Sequence, residues 1–167
     1  GSLWLGSRYP DVFGHLWSHS GDMGWETSFA REFAACVNPL AKYGGKFSGF
    51  LREFNRAPAR KRGEVPHELS MMAGLCACYS PNVRSPLGFD LPFNERTGER
   101  VPAVWRRWLA FDPLSWAAGR KASLKSLETF VFDCGRKDEF FLHLGARVLS
   151  RELQRLGVKH RYEEHDF

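Results

Sequence analysis

Three residue types used in nucleophilic catalysis occur in this chain in an order found in catalytic triads, which carry out acyl transfer. Ser20 comes first, Asp138 follows, and His160 and His165 come after Asp138. In a catalytic triad the serine attacks a carbonyl, the histidine takes its proton, and the acid fixes the histidine tautomer. The chain order serine, acid, histidine is one of the orders known for such triads. The first hypothesis is therefore a nucleophilic hydrolase.

The residues around Ser20 argue against that serine as the nucleophile. A nucleophile elbow needs small residues on both sides in the pattern G-x-S-x-G, because the backbone turns sharply there. Ser20 instead has Ser18 before it and Asp22 after it, and the pattern occurs nowhere in the chain. The following residues, 23–25, do not resemble the start of the required helix. We predict His19, directly beside Ser20, to be a loop histidine whose side chain points elsewhere.

Asp138 is a better candidate for a catalytic acid. It follows residues 129–133 (TFVFD), the clearest buried strand in the sequence, in a loop that contains Gly135 and precedes a long helix. A carboxylate there can orient a histidine, but it can equally cap the helix and interact with its dipole. The spacing alone favours capping, and both roles stay open.

The elements around these residues predict an α/β fold. Apolar runs predict strands at 12–18, 129–133 and 158–164, the first of them fully buried. Helical spacing of apolar residues predicts a long helix from Phe140 to Leu156, ended by Gly157 as a left-handed C-cap. A strand, a helix and a second strand in succession indicate a parallel sheet. Further helices are expected to end near residue 8 and to cover 28–37, 47–54, 67–79 and 101–110.

Residues 80–100 contain three prolines and two glycines and predict a long irregular segment. Long ordered loops inside compact domains usually form lids or binding loops. We therefore expect one domain over residues 1–167 with an irregular lid or insert region at about 38–113.

Composition argues against several kinds of partner. The 24 Lys and Arg residues exceed the 19 Asp and Glu residues by five, and they are spread along the chain. The one basic cluster, formed by Arg56, Arg60, Lys61 and Arg62, is interpreted as a solvated loop. We expect no nucleic-acid partner. No apolar run approaches the roughly 20 residues that span a bilayer, so no membrane association is expected and a cytoplasmic location is favoured.

Metal and cofactor sites are not expected. The four cysteines form no C-x-x-C pair, and the six histidines are scattered without metal-ligand spacing. We interpret the cysteines as small buried hydrophobic residues in a reducing compartment. They are Cys36, Cys76, Cys78 and Cys134.

Several longer motifs point to one family. They read RYPDVFG at 8–14, SHSGD at 18–22, GFDLPF at 88–93 and DCGRKDEF at 133–140. Further motifs lie at 78–81, 97–99, 105–113 and 145–164. Together they resemble the esterase D-like branch of the α/β-hydrolases, which is related to the enterochelin esterases, over nearly the whole chain.

The resemblance implies a three-layer αβα hydrolase fold of which this chain carries only the carboxy-terminal strands and helices, with the nucleophile strand absent. It also implies that Asp138 is the triad acid, which reverses the preference for simple capping. In the family the catalytic histidine follows a short way beyond the motif matched by 162–167, where His165 takes the place of an aromatic residue. Both the nucleophile and the catalytic histidine are therefore expected outside this chain.

The implied activity is serine-type hydrolysis of a small-molecule carboxylic ester through an acyl-enzyme, without a cofactor or metal. The alternative is a non-catalytic relative that keeps the fold as a binding or interaction protein. Oligomerisation, or completion of the sheet by missing segments or another chain, is left open. The residues expected near the substrate are Ser18, His19, Ser20, Asp22, Trp25, Phe89 and Asp90.

Overall fold

The computed structural model describes residues 1–58 and 64–166. The chain forms two compact units, one of Gly1–Ser28 with Leu109–Phe167 and one of Phe29–Trp108. The second unit overlaps the range expected to be an irregular lid or insert. Three members of the predicted basic loop, Arg60, Lys61 and Arg62, lie outside the described residues.

The first unit contains a three-stranded parallel sheet in the order β1 (His15–His19), β2 (Thr129–Gly135) and β3 (Arg161–His165). Trp17, Val131 and Arg161 are register partners across it. This arrangement confirms the expected mixed α/β class with a parallel sheet. The elements of the unit are α1 (Ser2–Arg8), β1 (His15–His19), the start of α2 (Trp25–Leu40), α6 (Pro113–Trp116), α7 (Lys121–Ser126), β2 (Thr129–Gly135), α8 (Leu142–Leu156) and β3 (Arg161–His165).

One face of this sheet packs against helices. Leu16, Phe130 and Phe132 point to that face and join a core with residues of α1 and α8. Phe132 is fully buried and stacks on Tyr162, with ring centroids 5.0 Å apart. Burial of each such side chain stabilises the fold by about 1.5–3 kcal/mol. The helix residues of this core include Leu3, Ala146, Leu149 and Leu153.

Strand β1 differs from the prediction. It begins at His15 rather than at residue 12, and its residues are alternately exposed and buried. Trp17, at its centre, is 60% exposed. The prediction of a fully buried strand was wrong because β1 is an edge strand of the described sheet, and an edge strand with one open face alternates as a half-buried strand does.

The start of α2 was also missed. Residues 23–25 did not resemble a helix start, yet α2 begins at Trp25. The carboxylate of Asp112 accepts hydrogen bonds from the backbone N–H groups of Gly24 (3.0 Å) and Trp25 (2.8 Å), so a distant residue supplies the cap. The same carboxylate caps α6 at Leu114 (3.1 Å), next to Pro113 at the first helical position. The pKa of Asp112 is raised above its ordinary value, because the effect of burial exceeds the opposing effect of these hydrogen bonds.

A close approach between α8 and the loop after β1 depends on glycine. A Cβ at Gly145 would overlap the backbone carbonyl of Met23, and one at Gly24 would lie 2.9 Å from the Cα of Gly145. Gly24 also has a left-handed backbone (φ 70°). The loop therefore packs directly on the helix backbone at this point.

The second unit is mostly helical. Its helices after α2 are α3 (Phe47–Arg56), α4 (His67–Tyr79) and α5 (Pro102–Leu109), with a 3-10 turn at Ala41–Tyr43. Phe33 lies at the centre of an aromatic cluster, stacked on Phe93 with centroids 5.3 Å apart and edge-on to Trp105 at 5.3 Å and Trp108 at 6.0 Å. Such pairs add about 0.5–1.5 kcal/mol each beyond their burial.

Most sequence expectations for elements agree with the structure. Helix α4 has the predicted bounds, and Gly157 ends α8 in the left-handed conformation (φ 66°). Cys36, Cys76 and Cys134 are buried as expected, but Cys78 is exposed, because its position in α4 faces away from the core. No helix in the described ranges is both long and apolar enough to cross a membrane.

Candidate functional site at the carboxyl ends of the strands

The loops after β1 and β2 form an open cleft in the first unit. Its volume is about 330 Å³, and it is lined by Ser20, Gly135, Lys137, Asp138 and Glu139. Because parallel strands end at the same edge of a sheet, the two loops meet there. The structure thus brings together Ser20 and Asp138, which are far apart in the sequence.

Asp138 caps helix α8 and faces the cleft at the same time. Its Oδ2 accepts the backbone N–H of Leu142 at 2.9 Å. Its backbone also joins the turn, because the N–H of Phe141 donates to its carbonyl at 3.1 Å. Among the described residues no group hydrogen-bonds to Oδ1, so one carboxylate oxygen is held by the helix and the other is available.

Ser20 is held in an unusual conformation. Its φ is 45°, in the left-handed region that few non-glycine residues adopt, and its N–H donates to the carbonyl of Asp133 at 2.9 Å. Burial and the nearby Asp138 raise the pKa of the Cys134 thiol, and the neighbouring Ser20 hydroxyl partly offsets that rise. In the described part of the chain Ser20 has no histidine partner that could act as its base.

Asp22 belongs electrostatically to the same region. Burial raises the pKa of its carboxyl above the ordinary value, and the negative charge of Asp138 raises it further. A carboxylate whose pKa is raised by burial and by a neighbouring carboxylate is a feature of sites that handle protons, although structural clusters do the same.

Sequence reasoning missed a buried carboxylate that contacts side chains from both neighbouring strands. Asp133 is only 6% exposed, its Oδ1 hydrogen-bonds to Nδ1 of His19, and its Oδ2 accepts the indole N–H of Trp17 at 3.0 Å. Nε2 of His165 lies 3.9 Å from Oδ1. Burial alone would raise the pKa of Asp133, but these hydrogen bonds and the two histidines outweigh it and lower the pKa.

The signal that could have revealed this cluster is strand register. His19 and Asp133 are direct partners in the parallel pair, so their side chains leave the sheet on the same face. That face is opposite the one carrying Leu16 and Phe132. His19 is therefore a strand-end residue and not the loop histidine that was predicted, but its side chain does point away from Ser20, as expected.

The remaining first-unit candidates have packing roles. Ser18 is buried, and Gly21 has no room for a Cβ because Ser18 Oγ occupies that space. Trp25 is 2% exposed at the start of α2. His160 is held by Ser150 Oγ at 2.8 Å and by the carbonyl of Val158 at 2.9 Å, so both ring nitrogens have partners.

Phe89 and Asp90 belong to the second unit. Phe89 is buried against Phe47, with centroids 6.0 Å apart. Asp90 accepts hydrogen bonds from Asn82 (2.8 Å) and Arg107 (2.7 Å), which lower its pKa. Within the second unit, these contacts give Phe89 a packing role and Asp90 a structural hydrogen-bonding role.

No protein-family model matches this chain, and comparison with curated proteins finds no significant match. Within residues 1–58 and 64–166, no group of three His, Cys, Asp or Glu side chains has a geometry that could hold a metal ion.

Proposed function

We propose that this chain provides the acid of a Ser-Asp-His triad in a serine-type carboxylic ester hydrolase of the α/β-hydrolase fold. The observation that carries the proposal is the position of Asp138. It follows β2 at the carboxyl edge of a parallel sheet, lines the cleft with Ser20, and keeps one carboxylate oxygen available. Active sites of α/β sheets lie at this edge.

The contact with α8 suits the proposed role. The Leu142 N–H fixes the Asp138 side chain, so the free oxygen is held in one direction before a histidine arrives. A buried or partly buried carboxylate in that position holds the imidazole in the tautomer that can accept the serine proton and stabilises the imidazolium that forms. Capping and catalysis are therefore compatible at Asp138.

The proposed mechanism uses groups beyond those described here. The serine attacks the ester carbonyl, the histidine takes the serine proton and passes it to the leaving alcohol, and water then hydrolyses the acyl-enzyme. Ser20 is not the proposed nucleophile, since it lacks the small flanking residues of a nucleophile elbow and has no histidine partner among the described residues. The proposal places both the nucleophile and the histidine outside residues 1–167.

A non-catalytic binding protein of the same fold is the second candidate. The observation that favours it is the same Asp138–Leu142 hydrogen bond, because a capping carboxylate would be kept for the fold alone. Substitution of Asp138 distinguishes the ester hydrolase from the non-catalytic binding protein.

The test uses the complete natural reading frame that contains residues 1–167, labelled with a fluorophosphonate probe and assayed with a series of p-nitrophenyl esters. Asp138→Asn keeps an oxygen for the Leu142 N–H but removes the charge, and we expect kcat to fall by roughly 10⁴-fold with little change in thermal stability. Asp11→Asn, in an exposed turn, is the control and should leave kcat unchanged.

Ester turnover by Asp138→Asn close to that of the unmutated protein would remove the triad assignment. Absence of labelling and turnover in the complete protein would favour the binding protein. Labelling of residues 1–167 alone would show that the nucleophile lies within them, against the proposal.

A further inference from the structure

Ser150 and His160 form a hydrogen-bonded pair between helix α8 and the residue before strand β3. Ser150 Oγ lies 2.8 Å from Nε2 of His160, and Nδ1 of the same ring lies 2.9 Å from the carbonyl of Val158. Because a carbonyl can only accept, Nδ1 carries the proton and Nε2 accepts the Ser150 hydroxyl. A serine bonded to a histidine that a third group orients is the arrangement of a nucleophile and its base.

The packing around this pair fixes the imidazole. The ring of His160 stacks on Phe132, with centroids 5.7 Å apart and planes 16° from parallel. A serine inside a helix commonly bonds a carbonyl of the preceding turn, but among the described residues the Ser150 hydroxyl has His160 as its partner instead. The hydroxyl is therefore directed at the base and not at its own helix.

The pair lines a cleft of about 540 Å³ formed by α8 and residues 158–162. Gln154, Lys159 and Arg161 also line it. The cleft lies at the amino end of β3, whereas the cleft of Asp138 lies at the carboxyl ends of the strands, so the two are separate. Because β2 separates β3 from β1, strands that extend the sheet at β1 would not cover this cleft.

Lys159 gives the cleft a cation that the fold does not use. Its ammonium group has no partner among the described residues. The N–H groups of Gly157 and Val158 already bond the last carbonyls of α8, both at 2.9 Å, so the helix does not need Lys159 as a cap. Arg161, by contrast, is paired with Glu163 at 3.3 Å. A free ammonium beside a nucleophile suits a substrate that carries a phosphate group.

We propose that this cleft is a second acyl-transfer site, in which Ser150 takes the acyl group of a small acyl phosphate. Ser150 Oγ forms a bond to the carbonyl carbon as His160 Nε2 takes the hydroxyl proton, the bond from that carbon to the phosphate oxygen breaks, and the proton passes to the departing phosphate. Lys159 binds the phosphate and favours its departure. Water deprotonated by His160 then displaces the acyl group as the free acid, and the proton returns to Ser150 Oγ. The inference needs neither Asp138 nor ester hydrolysis by the proposed triad.

The test incubates the complete natural reading frame, carrying Asp138→Asn to remove the proposed triad, with acetyl phosphate. Reactions are quenched in acid within the first turnover, and tandem mass spectrometry locates the acetyl group. We expect acetylation of Ser150 to be at least about 100-fold faster than that of Ser115, an exposed serine with no histidine partner in the described part of the chain. Acetyl phosphate carries the anionic group that Lys159 binds, which the fluorophosphonate probe lacks.

Three variants separate the proposed roles. His160→Gln keeps an acceptor for the Ser150 hydroxyl and a donor for the Val158 carbonyl but cannot take a proton, so we expect acetylation to slow by at least about 100-fold. Lys159→Met changes an exposed position, where folding is not at risk, and should raise the half-saturating concentration of acetyl phosphate by about tenfold. Lys121→Met, an exposed lysine of α7 outside the cleft, is the matched control and should leave both quantities unchanged.

Acetylation of Ser150 no faster than that of Ser115 would overturn the proposal. So would an acetyl group on Lys159 in place of Ser150, because the cleft would then bind acyl phosphates without a nucleophilic serine. An unchanged rate in His160→Gln would remove the base, and an unchanged half-saturating concentration in Lys159→Met would remove the acyl phosphate as the substrate class.

Discussion

The carboxylate of Asp133 hydrogen-bonds to Nδ1 of His19 across two neighbouring parallel strands. The same carboxylate receives the indole N–H of Trp17 and faces His165. One buried acid thus joins side chains from all three strands at their carboxyl ends. The cluster lies on the sheet face opposite the hydrophobic core. It therefore holds the strand ends together on the face that the core helices do not cover.

Asp133→Asn is expected to lower the free energy of unfolding by about 1–3 kcal/mol, because the amide keeps an acceptor for Trp17 but loses the charge that faces His19 and His165. The pKa of Asp133 is lowered in the folded state, so its contribution is present above the unfolded pKa of about 3.9 and is lost as the pH falls through the lower folded value. Urea unfolding from pH 3 to 7 measures it. A difference between the two proteins that grows towards low pH would contradict this explanation.

Asp112→Ala should destabilise the first unit by about 2–4 kcal/mol. Removal of the carboxylate leaves the N–H groups of Gly24, Trp25 and Leu114 without an acceptor in a buried place, and each such loss is costly. Urea denaturation gives the change, and amide exchange at residues 24, 25 and 114 locates it. Asp166→Ala, an exposed carboxylate paired with Arg136, is the control and should cost under about 0.5 kcal/mol.

Gly145→Ala and Gly74→Ala form a matched pair, since both glycines lie within helices. A Cβ at Gly145 overlaps the Met23 carbonyl, whereas nothing lies within 4 Å of a Cβ at Gly74. We expect Gly145→Ala to destabilise by more than about 2 kcal/mol through overpacking, and Gly74→Ala to stabilise by about 0.5–1 kcal/mol through helix propensity. Thermal unfolding of both variants tests this, and a stabilised Gly145→Ala would mean that the loop can move away at little cost.

Glu164 should titrate with a pKa of about 2. The guanidinium of Arg147 holds it at 2.6 Å and 2.8 Å through two hydrogen bonds, which outweigh the effect of burial, and the hydroxyl of Tyr162 adds a third. Carboxyl ¹³C NMR gives the midpoint, and Arg147→Ala should move it towards the ordinary value for glutamate. Arg155→Ala, which breaks the separate pair with Glu152 on the same helix, should leave the Glu164 midpoint in place. Equal shifts in both variants would point to net charge rather than to this contact.

The parts of the fold that local sequence could predict are those that local forces decide. Apolar spacing and the C-cap at Gly157 were sufficient for α8, and the apolar run TFVFD was sufficient for β2. The α2 start could not be found locally, because its capping carboxylate, Asp112, is 88 residues away from Gly24. The exposed face of β1 was missed because an apolar run does not reveal which strand is at an edge.

The candidate site was likewise predictable only where local sequence determines it. Asp138 could be placed from its position after a buried strand, and Ser20 joins it through the geometry of parallel strands. The Asp133 cluster depends on pairing register between residues 114 apart, which one sequence does not contain. The family assignment and the activity remain proposals that rest on motif resemblance and on Asp138.

The cap that Asp112 provides for the start of α2 also has a consequence for the folding kinetics of the chain. The cap at Trp25 closes a loop of 87 residues, a segment that includes all of Phe29–Trp108. Closing a flexible loop of that length costs about 4 kcal/mol of chain entropy by the (3/2)RT ln n relation. If the intervening segment is already compact, most of that entropy is lost beforehand, so early order in residues 29–108 speeds the docking of 24–25 onto 112. A short flexible linker in place of that segment would make the same closure easier, and the parallel sheet could then assemble without it.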